Sequence, residues 1–305
     1  MEPAKPIYIY TSSVSYTRNQ AMAILITGGT GKTGSRLARQ LHEHGLTAYT
    51  TSRSPETVPA PHKGVKFDWS DASTFENPFK AAADANEHID GVYLVSPNFP
   101  GMATVAASFI DLAVKHGVKR FVLLSATRLN KGDIMTGAIH EYLDKKGLDY
   151  CVLRPSWFQE NFLMPEYLSL IVKENVIVSA AGDGRVPWIS AADIAAATVK
   201  AFTAETIEQR DLYVVGPELL SYDDVAALFT DILGRRITHK RVSEAELKED
   251  FLAFGLAEHV ATALAFWNTV IASGGEEAVT KAENKYVGKQ RLRDLVEANK
   301  SSWSN

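Results

Sequence analysis

Short apolar runs alternate with longer amphipathic segments from Met22 to about Pro155. Strands are predicted where β-branched and aromatic residues cluster: Ala23–Thr27, Thr47–Ser52, Val65–Asp68, Gly91–Ser96, Arg120–Ser125 and Tyr150–Leu153. Helices are predicted where apolar residues recur at helical spacing: Thr33–His44, Phe75–Ala85, Met102–His116 and Thr136–Lys146. This alternation is typical of βαβ units, and apolar runs such as VYLV and FVLL indicate helices on both faces of the sheet. The pattern predicts an α/β fold with a doubly wound parallel sheet.

The pattern loosens after Pro155. An aromatic stretch is followed by a strand-like run, Val176–Ala180, and residues 222–273 have a mainly helical pattern. The run that begins at Tyr213 predicts a strand that returns to the main sheet. We therefore expect a core over residues 22–155 and a smaller, mainly helical C-terminal substrate lobe, residues 156–305, interleaved with it.

A glycine-rich segment, Gly28-Gly29-Thr30-Gly31-Lys32-Thr33-Gly34, lies between the first predicted strand and the first predicted helix. Glycine permits a tight turn and a close approach of the backbone to a pyrophosphate, and the following helix offers free amides. The segment is therefore predicted to bind a dinucleotide in a Rossmann-type core, through Gly28, Thr30, Gly31, Lys32, Thr33 and Gly34. A triphosphate-binding P-loop would need a glycine where Ile26 stands.

The end of the second predicted strand selects the cofactor. NAD binders place an acidic residue there against the ribose, but this chain has Ser52, Arg53 and Ser54. The guanidinium of Arg53 can pair with a 2′-phosphate, and both serine hydroxyls can donate hydrogen bonds to it. NADP(H) is therefore predicted rather than NAD(H). Asp68 and Trp69, after the third strand, are candidates to border the adenine, with a helix-entry role as the alternative for Asp68.

Charge and composition exclude several other functions. The net charge is −4 without a basic block, which argues against a nucleic-acid partner. The single cysteine, Cys151, lies in an apolar run and indicates a reduced, cytoplasmic protein. We expect no membrane partner, because no apolar run is long enough to span a bilayer, and no metal, because the histidines lack ligand spacing.

Residues 1–21 lack a secretory signal pattern and are expected to form a tail that is a candidate for disorder. The oligomeric state stays open.

Several longer motifs then resemble a known family. GGTGKT at 28–33, RFVLLSA at 120–126 and LRPSWFQEN at 153–161 resemble the NmrA-like atypical short-chain dehydrogenases/reductases. Together with FDW, GDGRVPWISAADIA, GPELLSYDDVA and LGRRITH, they are most similar to the fungal ergot-alkaloid reductases, the festuclavine and agroclavine dehydrogenases. The resemblance runs from about Met22 to the C-terminus. It implies an NADPH-dependent enzyme that reduces a C=N⁺ bond in an indole-derived intermediate.

Ketone-reducing short-chain dehydrogenases donate a proton from the tyrosine of a Y-x-x-x-K motif. Tyr142 and Lys146 match that spacing, but they stand at the end of their predicted helix, close to Arg154. The family's pair lies near the helix start, so we interpret Tyr142 and Lys146 as an i,i+4 helical pair.

Aligning the LRP segment with the family puts Thr136 at the usual lysine position, Gly132 at the tyrosine and His140 at a glutamate. His140 is a candidate acid, or alternatively a helix-surface histidine. The proton-donating dyad is therefore predicted to be missing. Reduction of an iminium suits such a site, because hydride transfer alone gives a neutral amine.

The nicotinamide end of the site should lie at the carboxyl ends of the middle strands. That position selects Ser96, Pro97, Ser125 and Pro155 as further cofactor contacts, with Ser125, Trp157 and Phe158 as positioning residues of the catalytic site. Aromatic candidates for the wall of a flat indole pocket are Phe99, Trp157, Phe158, Trp188 and Trp267, with ordinary core packing as the alternative for each of them. Glu160 and Asp193 are candidates either to stabilise a bound cation or to cap helices.

Two other functions remain open at this point. A non-catalytic NADP(H) sensor, like the regulatory NmrA proteins, would bind the cofactor without turnover. A quinone or enone reductase would also work without the dyad. If the protein is an iminium reductase, as the resemblance implies, its expected partner is a small molecule, an indole-derived iminium.

Overall fold

An eight-stranded parallel sheet forms the centre of the molecule in the computed structural model, which describes residues 22–97, 99 and 101–304. The strands are β1 (Met22–Ile26), β2 (Thr47–Ser52), β3 (Lys63–Lys66), β4 (His88–Leu94), β5 (Arg120–Leu124), β6 (Asp149–Pro155), β7 (Val176–Ser179), β8 (Arg185–Val186), β9 (Asp211–Val215), β10 (Leu220–Ser221), β11 (Thr238–Arg241) and β12 (Lys285–Val287). The order across the main sheet is β12-β9-β6-β5-β4-β1-β2-β3. Its neighbouring strands pair in parallel.

Helices cover both faces of this sheet and build the C-terminal part. They are α1 (Lys32–Glu43), α2 (Asn77–Asp84), α3 (Met102–Lys115), α4 (Thr136–Lys145), α5 (Pro165–Lys173), α6 (Ala191–Thr203), α7 (Tyr222–Leu233), α8 (Glu244–Ala253), α9 (Glu258–Ala272), α10 (Gly275–Val279) and α11 (Leu292–Ala298). In α1, Leu37 and Leu41 are four residues apart and fully buried, as the apolar face of an amphipathic helix requires. Within the described part of the chain, none of the helices combines the length and apolarity that crossing a membrane requires.

The predicted fold class is confirmed. Each strand and helix predicted before residue 155 is present, and β2 has the predicted bounds. The third strand was predicted at Val65–Asp68 but ends at Lys66, because Asp68 begins a tight turn and accepts a hydrogen bond from the Ser70 amide. The predicted tail, residues 1–21, lies outside the described residues.

The later half of the chain contributes to the same sheet. The segment around Tyr213 forms β9, which pairs with β6, and β12 pairs with the far side of β9. The run predicted at 176–180 forms β7, which pairs with β11 outside the main sheet. Three buried clusters result: one beneath α2–α4 around Phe109, one beneath α1 and α6, and one in the C-terminal part around Trp303. A domain boundary at residue 155 stays a prediction.

Candidate functional site

The strand order reverses between β1 and β4. The chain leaves β1 toward β2 and β3, and it then returns to the other side of β1 to form β4. In an open parallel sheet, ligands bind in the crevice beyond the carboxyl ends of the strands at such a reversal. The segments that follow β1, β2, β4, β5 and β6 meet at this edge, and they contain most of the predicted site residues.

The glycine loop is shaped by its backbone. Gly28 has a φ of +66°, and its carbonyl oxygen accepts a hydrogen bond of 3.0 Å from the Gly31 amide. A Cβ on Gly34 would lie 2.5 Å from that same oxygen and 2.8 Å from the Gly29 Cα, so the helix can pack against the strand only with glycine here. Among the atoms of the described residues, a Cβ on Gly31 would meet only the Gly28 oxygen, at 3.1 Å. The space above Gly31 is thus open for a ligand that approaches the backbone closely.

The N-terminus of α1 faces this space. None of the described side chains caps the helix, and its first turn contains no acidic residue. Its first amides are therefore available to an anion, which the helix dipole also favours. The side chain of Thr33 is buried, so Thr33 could contact a phosphate only through its backbone.

Lys32 makes contacts that the sequence did not predict. Its Nζ donates to the Asn161 Oδ1 at 3.2 Å and lies 2.9 Å from the Met164 Sδ. Burial lowers the pKa of the Lys32 ammonium, although the charges of Glu160 and Glu166 oppose that shift. Lys32 therefore joins the glycine loop to the segment that carries Trp157 and Phe158, and its assignment to the cofactor stays a prediction.

The end of β2 presents a free cation. Arg53 is exposed, and none of the carboxylates in the described ranges lies within ion-pair distance of it. The Ser52 hydroxyl and the Ser54 backbone bond to each other at 3.1 Å, which fixes the turn that carries Arg53. Hydrogen bonds from Ser70 lower the pKa of the Asp68 carboxyl, and the Arg53 charge adds to that effect.

Asp68 and Trp69 both have protein partners. Asp68 accepts from the Ser70 amide and hydroxyl, whereas the short helix that follows is capped by Asp71, so Asp68 does not provide that cap. The Trp69 indole donates to the Val95 carbonyl at 3.2 Å and packs edge-on against Phe67. Trp69 thus links the ends of β3 and β4 and forms a fixed wall at the edge where an adenine is predicted.

The hydroxyls of Ser125 and Thr136 share a hydrogen bond of 2.7 Å at the start of α4. Tyr142 and Lys146 lie at the other end of this helix, where Lys146 pairs with Asp111 at 2.9 Å and its Nζ lies 5.3 Å from the Tyr142 ring centroid. The predicted i,i+4 interpretation agrees with this geometry, because the pair is turned toward α3 and away from Ser125.

The nicotinamide edge is lined by the segments after β4 and β6. Ser96 and Phe99 are partly exposed, while Pro97 and Pro155 are buried. Trp157 and Phe158 are also partly exposed, and Phe158 pairs with Ile189 through an isolated parallel bridge. The predicted positioning residues therefore lie together at one edge of the sheet.

Trp188 follows the core-packing alternative and does not belong to the predicted aromatic wall. It is only 2% exposed and packs against Phe162 and Tyr222, so it belongs to the core and does not line an open pocket. It supports the wall indirectly, since its ring centroid lies 6.5 Å from that of Trp157. Trp267 is partly exposed on α9 beside Phe266.

Glu160 and Asp193 serve a helix terminus. Both carboxylate oxygens of Glu160 accept from the Ala191 amide, the first residue of α6, and Arg36 lies 3.4 Å away. Asp193 accepts from the Ser190 hydroxyl and the Gln290 amide. Of the two predicted alternatives, the structure favours helix capping over stabilisation of a bound cation.

A buried carboxylate that the sequence did not single out joins three segments of the site. Glu276, in α10, is 2% exposed and accepts hydrogen bonds from the Thr127 hydroxyl at 2.6 Å and the Ser156 hydroxyl at 2.8 Å. The Arg128 Nε lies 3.7 Å from it. Glu276 thus fixes the loops after β5 and β6 against the C-terminal part of the chain.

His140 is buried, which corrects the helix-surface alternative. It is 3% exposed and packs edge-on against Tyr150. Burial lowers the pKa of His140 despite the opposing charge of Asp211. Asp211 itself pairs with Arg154, and the Arg154 guanidinium also donates a hydrogen bond to the Thr127 carbonyl. This network therefore holds the loop after β5.

Comparison with known proteins gives consistent results. Residues 28–205 match the model of the NAD(P)H-binding family. The chain is 41% identical to agroclavine dehydrogenase of Claviceps fusiformis, covering 92% of this chain and 99% of that protein. It is 39% identical to a festuclavine dehydrogenase of Aspergillus fumigatus, with the same coverage of both chains. The Citrobacter triphenylmethane reductase complexed with NADP(H) has the same fold, with a TM-score of 0.71, 18% identity and coverage of 90% and 99%.

The glycine loop, the strand reversal and the family match together define an NAD(P)H-binding oxidoreductase with a Rossmann-type fold. The chain belongs to the NAD(P)H-binding family, and within it to the group of agroclavine and festuclavine dehydrogenases. The resemblance predicted from the sequence motifs is confirmed.

Proposed function

We propose that this protein is an NADPH-dependent reductase of a cyclic iminium in alkaloid-type secondary metabolism. The observation that carries the proposal is the Ser125–Thr136 hydrogen bond at the start of α4. Thr136 is aligned with the lysine of a ketone reductase and Gly132 with its proton-donating tyrosine, so the hydroxyl of Thr136, bonded to Ser125, would replace the lysine ammonium. An iminium needs no such donor, because its carbon is already electrophilic and hydride addition produces a neutral amine.

The residues at the crevice fit a dinucleotide. The open space above Gly31 and the uncapped N-terminus of α1 suit a pyrophosphate, and Arg53 suits a 2′-phosphate through its guanidinium fork. Ser96, Pro97, Ser125 and Pro155 would border the nicotinamide end. When bound, NADP(H) supplies the hydride. Arg53, and the absence of an acidic residue from the stretch 50–54 at the end of β2, support NADP(H) over NAD(H).

The chain's own residues would then act by positioning. Ser125 would orient the cofactor amide or the substrate, while Trp157 and Phe158 would hold a flat ring system over the reacting edge. The aromatic faces would also tolerate the positive charge of an iminium. Each of these roles lowers the barrier through orientation and exclusion of water, without transfer of a proton from the protein.

The names of the relatives support the substrate class. Agroclavine dehydrogenase and festuclavine dehydrogenase are each named for a clavine, and both align along nearly their whole length. The second candidate is a quinone or enone reductase, which would also work without a proton-donating dyad. An NAD(P)H azoreductase of Xenophilus azovorans, 28% identical over 79% of this chain, is named for an acceptor that is not an iminium, which supports testing acceptors of other classes.

A panel of acceptors tests the proposal. NADPH consumption would be followed with cyclic iminium compounds, including one formed from chanoclavine aldehyde, and with a quinone and a ketone. We expect turnover with the iminium and a loss of less than about tenfold in Ser125→Ala, whereas removal of a true general acid typically costs about 10²–10⁴. Turnover of the quinone alone would favour the second candidate. Tight NADPH binding without any turnover would favour a sensor.

A further inference from the structure

Two large apolar side chains lie exposed at the end of the loop between β5 and α4. Ile134 is 76% exposed and Met135 is 41% exposed. Contact of such groups with water is unfavourable, although a single exposed hydrophobic residue is ordinary. What distinguishes this pair is the conformation of the backbone that holds it.

Met135 has a backbone conformation that usually requires glycine. Its φ is 58° and its ψ is −124°, where the Cβ of an ordinary residue is crowded by the neighbouring backbone. The other non-glycine residues with positive φ in the described ranges are Asn86 and Asn175, and asparagine tolerates positive φ best. Such strain persists where the surrounding structure enforces it, and it is concentrated at functional sites.

The loop is tied to the site on both sides. Thr136, directly after Met135, bonds to Ser125, and Asn130 accepts from the buried guanidinium of Arg154 at 2.8 Å. Within the loop, the Gly132 amide donates to the Gly137 carbonyl at 3.0 Å. Ile134 and Met135 therefore directly precede the residue that bonds to Ser125, and Ser125 belongs to the predicted nicotinamide edge.

We propose that Ile134 and Met135 form an apolar rim that contacts the ring system of the substrate. This inference rests on the proposed function and adds residues that determine substrate size and affinity. A polycyclic substrate that enters beside Ser125 would cover both side chains, and the flexible thioether of Met135 can adapt to its shape. Glycine at position 135 would adopt this backbone conformation without strain, but it would have no side chain to contact the substrate. The strain of the Met135 backbone is then the energetic cost of placing a side chain here.

Two variants separate a contact with substrate from a structural role. Met135→Gly relaxes the backbone and removes the side chain, while Ile134→Ser removes an exposed side chain. We expect both variants, loaded with NADP⁺, to bind agroclavine at least about fivefold more weakly, since each loses apolar burial. The melting temperature of Met135→Gly should stay the same or rise. Val114→Ser, at an apolar position 40% exposed on α3, is the matched control and should change neither quantity.

The design distinguishes failure of the rim from failure of the proposed function. If the wild-type protein binds no agroclavine but reduces menadione, the clavine proposal is wrong, and the rim then predicts a raised KM for menadione in both variants. Unchanged affinity for agroclavine, or an unchanged KM for menadione in that case, would overturn the rim. A wild-type protein that takes neither probe would contradict both proposals.

Discussion

A Cβ on Gly34 would lie 2.5 Å from the carbonyl oxygen of Gly28, whereas a Cβ on Gly31 would lie 3.1 Å from the same atom. Gly34→Ala should therefore destabilise the fold by about 1–3 kcal/mol, because backbone on both sides must shift. Gly31→Ala should keep its melting temperature, since its φ of −76° suits alanine, but should bind NADPH weakly. Thermal melting and cofactor titration of the two variants test whether Gly34 determines stability and Gly31 determines cofactor affinity. Equal losses of stability in both would contradict it.

Arg53 should determine the preference for NADPH. A charge-assisted hydrogen bond contributes about 1.5–3 kcal/mol, so Arg53→Ala should raise the Kd for NADPH by about tenfold or more. The Kd for NADH should hardly change, because that cofactor has no 2′-phosphate. Arg39→Ala, an exposed arginine on α1 whose neighbour is Glu43, is the control and should leave both constants unchanged. A parallel loss of both cofactors would place Arg53 outside the phosphate site.

Glu276 should couple stability to substrate affinity. Glu276→Gln leaves the Thr127 and Ser156 hydroxyls without a charged acceptor, and we expect a loss of about 1–3 kcal/mol in the free energy of unfolding. The KM for the acceptor should rise more than the Kd for NADPH, because we propose that the loops after β5 and β6 line the substrate side. Glu277→Gln makes the same chemical change one residue away and should be silent. Urea unfolding and steady-state kinetics measure both effects.

The sequence could predict the parts of the site that are local. The glycine loop and the candidate groups after each strand follow from periodicity, since parallel strands bring their carboxyl ends to one edge. It could not predict the partners of Glu276, because 149 positions separate it from Thr127 and no motif links them. The same holds for Lys32, which meets Asn161 across 129 positions. The three-residue β12 is too short to produce an alternating pattern.

His140 should make the fold sensitive to acid. Burial lowers its folded-state pKa below the ordinary value of 6.5, so the unfolded chain binds a proton first as the pH falls. Stability from this group is therefore complete above about pH 6.5 and is lost as the pH falls toward the folded pKa. His140→Gln should flatten the decrease in unfolding free energy below that pH, by up to about 1.4 kcal/mol per pH unit. Exposed His44, replaced by Gln, serves as control; an unchanged slope in His140→Gln would contradict the account.

Transfer of a label tests the central claim most directly. NADPH that carries deuterium at the transferring position would be incubated with the protein and a clavine iminium, and the product would be examined by mass spectrometry and NMR. We predict one deuterium on the former iminium carbon, and the same label in Ser125→Ala, because hydride transfer needs no proton from the protein. A product without the label, or intact labelled NADPH beside an unreacted iminium, would contradict a direct iminium reductase.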